Sequence, residues 1–195
     1  RALVAPARPD QSNPAELPVL LVEGVVKEYG DVAKTRALDG VDLRVSAEIA
    51  AIIGPSGSGK STLLNIIGLL DRPTSGRVAL GGTETSGLGD RELTALRASM
   101  LGFVFQFHHL LPAFTALENV MLPGGGGLGH STDELRASSE EVCDEQRRFN
   151  RELGSTFLVV THDPRIAERC DRVVEIVDGR VRSDRTQSPP KPAGG

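Results

Sequence analysis

Nine consecutive residues, Gly54-Pro55-Ser56-Gly57-Ser58-Gly59-Lys60-Ser61-Thr62, carry the chemistry that this chain announces most clearly. Gly54, Gly59, Lys60 and Ser61 satisfy the G-x-x-x-x-G-K-[ST] phosphate-loop spacing. Glycines let the backbone curl so that successive N–H groups point at phosphate oxygens. Lys60 adds a point charge for the β- and γ-phosphates, and the Ser61 hydroxyl can ligate Mg²⁺. A Gly/Ser-rich turn that happens to contain a lysine is the alternative. The flanks argue against it. Residues 48–53 read as a buried strand running into the loop, and residues 61–67 as a helix whose N-terminus faces the anion. This is a nucleotide-phosphate site.

The elements that must position the loop follow from patterning. Residues 1–18 hold Pro6, Pro9, Pro14 and Pro18 among small and polar residues and read as a disordered leader. Residues 19–26 read as a strand leading to Tyr29 and a Gly30-Asp31 turn. Residues 37–45 alternate as a half-buried strand, so the two predict a small antiparallel sheet ahead of the loop. Residues 71–76 form a breaker-rich loop, 77–80 a short strand, and 90–98 a helix with Asp90 as its N-cap. Residues 101–105 form a buried strand ending at Gln106, and a short helix is expected over 115–121. Gly124 to Gly127 break the chain, and 132–153 read as a polar helix with a thin apolar stripe. Thr156 to Thr161 is a β-rich apolar run ending at His162. A short helix over 166–170 precedes a strand over 172–177, the Asp178-Gly179 turn and Arg180-Val181. From Ser183 the composition reads as a disordered tail. Strands separated by helices around a phosphate loop predict an α/β fold with a parallel sheet.

Composition sets bounds. A net charge of −4 gives no reason to expect a nucleic-acid partner. Cys143 and Cys170 lack C-x-x-C spacing and read as ordinary thiols. No apolar run approaches the roughly 18 residues that span a bilayer. The first residues lack an export signal, which leads us to expect a cytoplasmic chain. His108 and His109 are adjacent, point apart and have no third ligand nearby, so a metal-free reading is preferred. Gln106 or His162 taken singly is more often a strand-end polar residue than a ligand, and Tyr29 alone could be an ordinary strand aromatic.

Taken together, residues 19–182 resemble the ATP-binding subunit of an ABC transporter, most of all the lipoprotein-releasing and macrolide-export group. Tyr29 in Val25-Val26-Lys27-Glu28-Tyr29-Gly30 resembles the A-loop aromatic that stacks on adenine. Gln106 after Phe103-Val104-Phe105 resembles the Q-loop glutamine, which senses the γ-phosphate and Mg²⁺. The segment from Phe107 to Val120 is close to that group's own wording and, in the family, contacts the membrane subunits. His162 in Val159-Val160-Thr161-His162-Asp163 resembles the H-loop histidine, and Val177-Asp178-Gly179-Arg180-Val181 the terminal hairpin. The resemblance implies a P-loop NTPase core with a parallel sheet and a small N-terminal antiparallel β subdomain. It implies ATP and Mg²⁺ as ligands, with Ser61 and Gln106 at the metal. The implied partners are integral membrane permease subunits and a second copy in a head-to-tail homodimer. The implied place is the inner face of the cytoplasmic membrane.

Between Gln106 and His162 the resemblance is interrupted. The L-S-G-G-Q signature is absent; Gly124 to Gly127 imitate its glycines without the serine or glutamine. No four apolar residues followed by Asp-Glu supply the Mg²⁺-supporting aspartate and the catalytic glutamate, and Arg136 or its neighbours stand where the D-loop aspartate is expected. Two internal deletions, around residues 123–131, account for this. They would remove most of the helical subdomain and one strand that the family keeps inside its sheet, leaving neighbouring ladders unpaired. Two functions stay open at this point: an ATP-binding, ancestrally ATP-hydrolysing transporter subunit, or a degraded non-catalytic nucleotide-binding remnant or regulatory subunit. A P-loop phosphotransferase is a third reading, disfavoured by the combination of Tyr29, Gln106 and His162.

Overall fold

In the computed structural model, described over residues 2–5, 18–104, 147, 148, 150, 152 and 155–188, two sheets enclose the helix that follows the phosphate loop. In chain order the elements are β1 (Ala2–Ala5), β2 (Leu20–Tyr29), β3 (Thr35–Val45), β4 (Ile49–Ile53) and α1 (Lys60–Ile67). They continue with β5 (Ser75–Leu80), β6 (Thr83–Glu84), α2 (Asp90–Met100) and β7 (Gly102–Val104). The last are β8 (Thr156–Val160), α3 (Pro164–Glu168), β9 (Arg172–Val177) and β10 (Arg180–Thr186).

The smaller sheet is antiparallel, in the order β3-β2-β5-β6, and is the N-terminal subdomain that the alternating sequence predicts. The larger sheet is mixed, in the order β10-β9-β4-β8-β1-β7. Its heart, β4, runs parallel to both β8 and β9. An apolar run with no polar alternation suits that position, because β4 is covered on both faces. Ala50 and Ile52 face one core, which fills the space between the sheets and takes in Leu63, Leu64, Ile66 and Ile67 of α1. Ile49 and Ala51 face a second, smaller core with Phe157, Val173, Cys170 and Ala167 beside α3. The phosphate-loop helix is thus held between layers.

Four expectations need correction. Asp90 is the first residue of α2 and not its cap; Gly89 precedes the helix and donates its N–H to the Glu92 carboxylate at 2.7 Å. The tail starts later than Ser183, because β10 pairs with β9 as far as Thr186↔Arg172, and Gln187 donates its backbone N–H to Asp171 O at 2.8 Å. The leader is not wholly disordered: Ala2–Ala5 form β1, antiparallel to β8 on one side and to β7 on the other. The gap foreseen in the sheet is therefore filled. A short segment that pairs with two strand edges at once gives backbone groups partners on both sides, which offsets the ordering of four residues. The short helix expected over 115–121, His108, His109 and Cys143, and the break around residues 123–131 lie outside the described residues. No helix among the described residues is long and apolar enough to cross a membrane.

Candidate functional site

The loop between β4 and α1 is propped from beneath by elements far away in sequence. Gly179, in the turn between β9 and β10, donates its N–H to Ser58 O at 3.0 Å, and its own carbonyl accepts from Asp39 N at 2.9 Å. Two glycines are required by this close packing. A Cβ at Gly54 would stand 2.1 Å from Ile176 O, and one at Gly59 would stand 2.4 Å from Ala37 O. Both positions also have positive φ, 146° and 99°, which an L side chain resists. The loop's curl is therefore fixed by β3 and by the β9–β10 turn as well as by its own sequence.

Within this frame α1 begins at Lys60 with no side-chain cap and no acidic residue in its first turn. The first turn of a helix leaves N–H groups without intrahelical acceptors, and these carry the positive end of the helix dipole. Among the described residues no backbone oxygen accepts from the N–H of Lys60, Ser61 or Thr62; the first such bond is Leu63 N to Gly59 O, at 2.9 Å. The Lys60 ammonium donates to Gly54 O at 2.9 Å, Pro55 O at 2.5 Å and Ser58 Oγ at 3.2 Å. It lies folded over the loop, its charge held where an anion would sit. Ser61 is exposed at the mouth. Free N–H donors, a cation and a hydroxyl lie within three adjacent residues at the start of α1, a combination that suits phosphate oxygens and a hard divalent cation.

His162 follows β8 at the carboxyl end of the sheet and is exposed. The strand end is pinned by Thr161 N donating to Ile52 O at 3.2 Å, and Asp163 N donates to Thr161 Oγ1 at 3.0 Å. Asp163 then caps α3, accepting from Arg165 N at 2.9 Å. The Arg165 guanidinium and backbone N–H hold the Asp163 carboxyl below the usual carboxylate range. His162 shares a cavity of about 360 Å³ with Gly54, Pro55, Glu168, Glu175 and Arg185. The structure thus brings His162 beside the start of the phosphate loop.

Tyr29 is joined to the phosphate-loop frame through β3, while its side chain turns toward the segment after α1. It ends β2 and pairs with Thr35 of β3, two residues from the Ala37 carbonyl that touches Gly59. Its hydroxyl donates to Asp71 Oδ2 at 3.0 Å, and the Lys27 ammonium sits 4.9 Å from its ring centroid. The ring is nonetheless 43% exposed. Lys27 also donates to Asp71 Oδ1 at 2.6 Å. Burial tends to raise the Asp71 carboxyl, but the bonds from Lys27, Tyr29 and the Arg72 N–H outweigh it and hold it below the usual range. Nothing in the local sequence marks Asp71 as a partner of Tyr29, and the Asp178-Gly179 turn, though visible as a turn, carries no sign that it props Ser58. Gln106 lies outside the described residues. Among those described, no group of three acidic, histidine or cysteine side chains is arranged to hold a metal.

The family profile described as ABC transporter matches residues 38–180. A lipoprotein-releasing system ATP-binding protein, LolD, from Anaeromyxobacter dehalogenans is 42% identical over 231 residues, covering 89% of this chain and 96% of the relative. A protein of the same description from Cereibacter sphaeroides is 51% identical over 220 residues, covering 84% of this chain and 98% of the relative. Among solved structures, an ATP-binding cassette in a dimeric post-hydrolysis state, bound to ADP and Pi, superposes with a TM-score of 0.75 at 31% identity, covering 86% of this chain and 98% of that one. Both aligned spans, 231 and 220, exceed the 195 residues of this chain, so the relatives contain sequence that has no counterpart here.

Proposed function

Since this chain belongs to the ABC transporter family, we propose that it is the ATP-binding subunit that energises lipoprotein release or export across the inner membrane. The observation that carries this reading is the match to lipoprotein-releasing ATP-binding proteins across almost their whole length. The geometry of residues 54–62 is consistent with it. Nothing in the comparisons favours the alternative of a degraded remnant.

In this reading Tyr29 offers its ring to the adenine, and the loop from Gly54 through Pro55, Ser56, Gly57, Ser58 and Gly59 to Lys60 cradles the phosphates. Ser61 and Thr62 close the loop at the start of α1. Ser61 and Gln106 would hold Mg²⁺, which would supply charge neutralisation to the phosphates. His162 orients the γ-phosphate by donating a hydrogen bond. The chain's own contribution is positioning and electrostatic stabilisation, because phosphoryl transfer leaves little covalent chemistry for protein groups. The partners in this reading are integral membrane permease subunits and a second copy of the chain, at the inner face of the cytoplasmic membrane.

Binding of ATP with Mg²⁺ to the purified full chain, followed by calorimetry, tests the proposal. Replacing Lys60 with Ala removes a cation from an anion site and is expected to weaken affinity at least about tenfold, the scale of one charge-assisted contact. Thermal unfolding of the variant, measured beside the binding, checks that losing the three bonds of Lys60 to the loop leaves the fold intact. Equal affinity in the two proteins, or no binding at millimolar nucleotide, would overturn it.

A further inference from the structure

We propose that β1 is a stand-in strand: Ala2–Ala5 occupy a place inside the larger sheet that the relatives fill with sequence this chain lacks. Three observations carry it. The first is position. β1 stands between β8 and β7, paired with both, so it is interior to the sheet and not an edge addition. The second is origin. The family model matches residues 38–180, which include β4, β7, β8 and β9, whereas β1, like β2, lies before the match. The two strands that β1 joins thus belong to the matched core, and β1 comes from the sequence ahead of it. The third is length: the relatives' aligned spans are longer than this entire chain. Sequence removed from the shared region is thus replaced, at one point in the sheet, by sequence from outside it.

The direction of β1 agrees. β4, β8 and β9 run parallel, as strands joined by crossovers do. β1 runs against β8, with Ala2 opposite Val159 and Ala5 opposite Thr156, and against β7, with Ala2 opposite Val104 and Val4 opposite Gly102. A segment added from elsewhere can pair in either sense, provided that both ladders are satisfied. Among the described residues, β1 is the strand through which β7 joins the sheet. The Phe103 ring of β7 closes over Gly68 behind α1, where a Cβ would lie 2.8 Å from it. Losing β1 would therefore open two strand edges and release the support behind α1. Unpaired interior edges are costly, and an extended segment that adds main-chain bonds on both sides is the natural remedy. The remedy is also chemically bare. Antiparallel pairing sets Ala2 at the end of the sheet where β4 and β8 run into the phosphate loop and His162, and Ala-Leu-Val-Ala carries no acidic side chain.

The test uses the full chain. Leu3→Pro removes a ladder N–H and should accelerate amide hydrogen exchange across 156–160 and 102–104 by about tenfold or more, the signature of a local opening made easier. Ser12→Pro, in the same leader but outside the strand, should leave those amides unchanged. Unaltered exchange in Leu3→Pro would overturn the proposal. Should that variant fail to fold while Ser12→Pro folds, a second measurement decides. Ala2→Cys combined with Val159→Cys places two thiols on facing, same-side positions within disulfide reach. Mild oxidation should join them within one chain, as mapped by peptide mass spectrometry. Absence of that bridge, or a bridge formed between chains alone, would overturn the assignment.

Discussion

Tyr29 shows how an exposed aromatic is fixed in place by side chains distant in sequence. Its ring is exposed, but its hydroxyl is tied to Asp71, 42 residues further on, and Lys27 bridges the two. Asp71 is the centre of this cluster, so its charge state governs it. Its carboxyl titrates below the unfolded value of about 3.9. The sign follows: a depressed carboxylate adds stability that is fully present above the unfolded value and is lost as pH falls through the folded one. Asp71→Asn should cost about 1 kcal/mol at pH 7, discounted for partial exposure. The difference between variant and parent should be smaller at an acidic pH below the folded value, where Asp71 is protonated in both states, than at pH 7. Urea unfolding of both proteins at the two pH values measures it; a pH-independent difference would show that the carboxylate charge is not what holds the cluster. The phosphate loop was legible in the sequence because its pattern is local, in nine adjacent residues. The Asp71 anchor was not, because only the fold makes it a neighbour of Tyr29.

At the scale of elements, legibility depended on whether burial or pairing made the strand. β4 and β8 are apolar runs covered on both faces, and their sequences declare it. β10 and β1 are made by their partners. Beyond Arg182 the chain is polar and reads as a tail, yet the Arg172 guanidinium donates to Asp184 Oδ1 at 2.6 Å and Oδ2 at 2.5 Å. Arg172 also donates to Glu48 Oε1 at 3.0 Å and to Arg44 O. One side chain on β9 thereby ties β10 to the turn that enters β4, and its 17% exposure leaves these bonds only partly screened. Arg172→Met keeps the apolar stem and removes the fork. It should cost about 2 kcal/mol, the scale of charge-assisted bonds with their partners left unmatched. Amides of β10 should exchange before those of β4. Chemical denaturation with hydrogen exchange tests this, and a loss spread evenly over both strands would argue against β10 being held by this residue.

The whole molecule joins a phosphate loop to a sheet in which β1 stands between β8 and β7, and both features bear on turnover. The loop needs only β4, α1, β3 and the β9–β10 turn, all of which are present and mutually packed. Binding should therefore survive whatever the chain lacks elsewhere. Hydrolysis asks for more, namely a carboxylate that polarises the attacking water. The sequence contains no apolar run followed by Asp-Glu, and β1 brings only Ala-Leu-Val-Ala to the sheet beside β8. A positioned general base is worth about 10²- to 10⁴-fold in rate. Phosphate release by the purified chain, at saturating ATP and Mg²⁺, should accordingly fall at least about 10²-fold below that of a relative with the longer sequence, on the same scale. The affinity for ATP should meanwhile remain dependent on Lys60. The converse result is equally definite. Turnover matching the relative's, and abolished by Lys60→Ala, would mean that another carboxylate of this chain reaches the γ-phosphate, and that the strand between β8 and β7 was never its source.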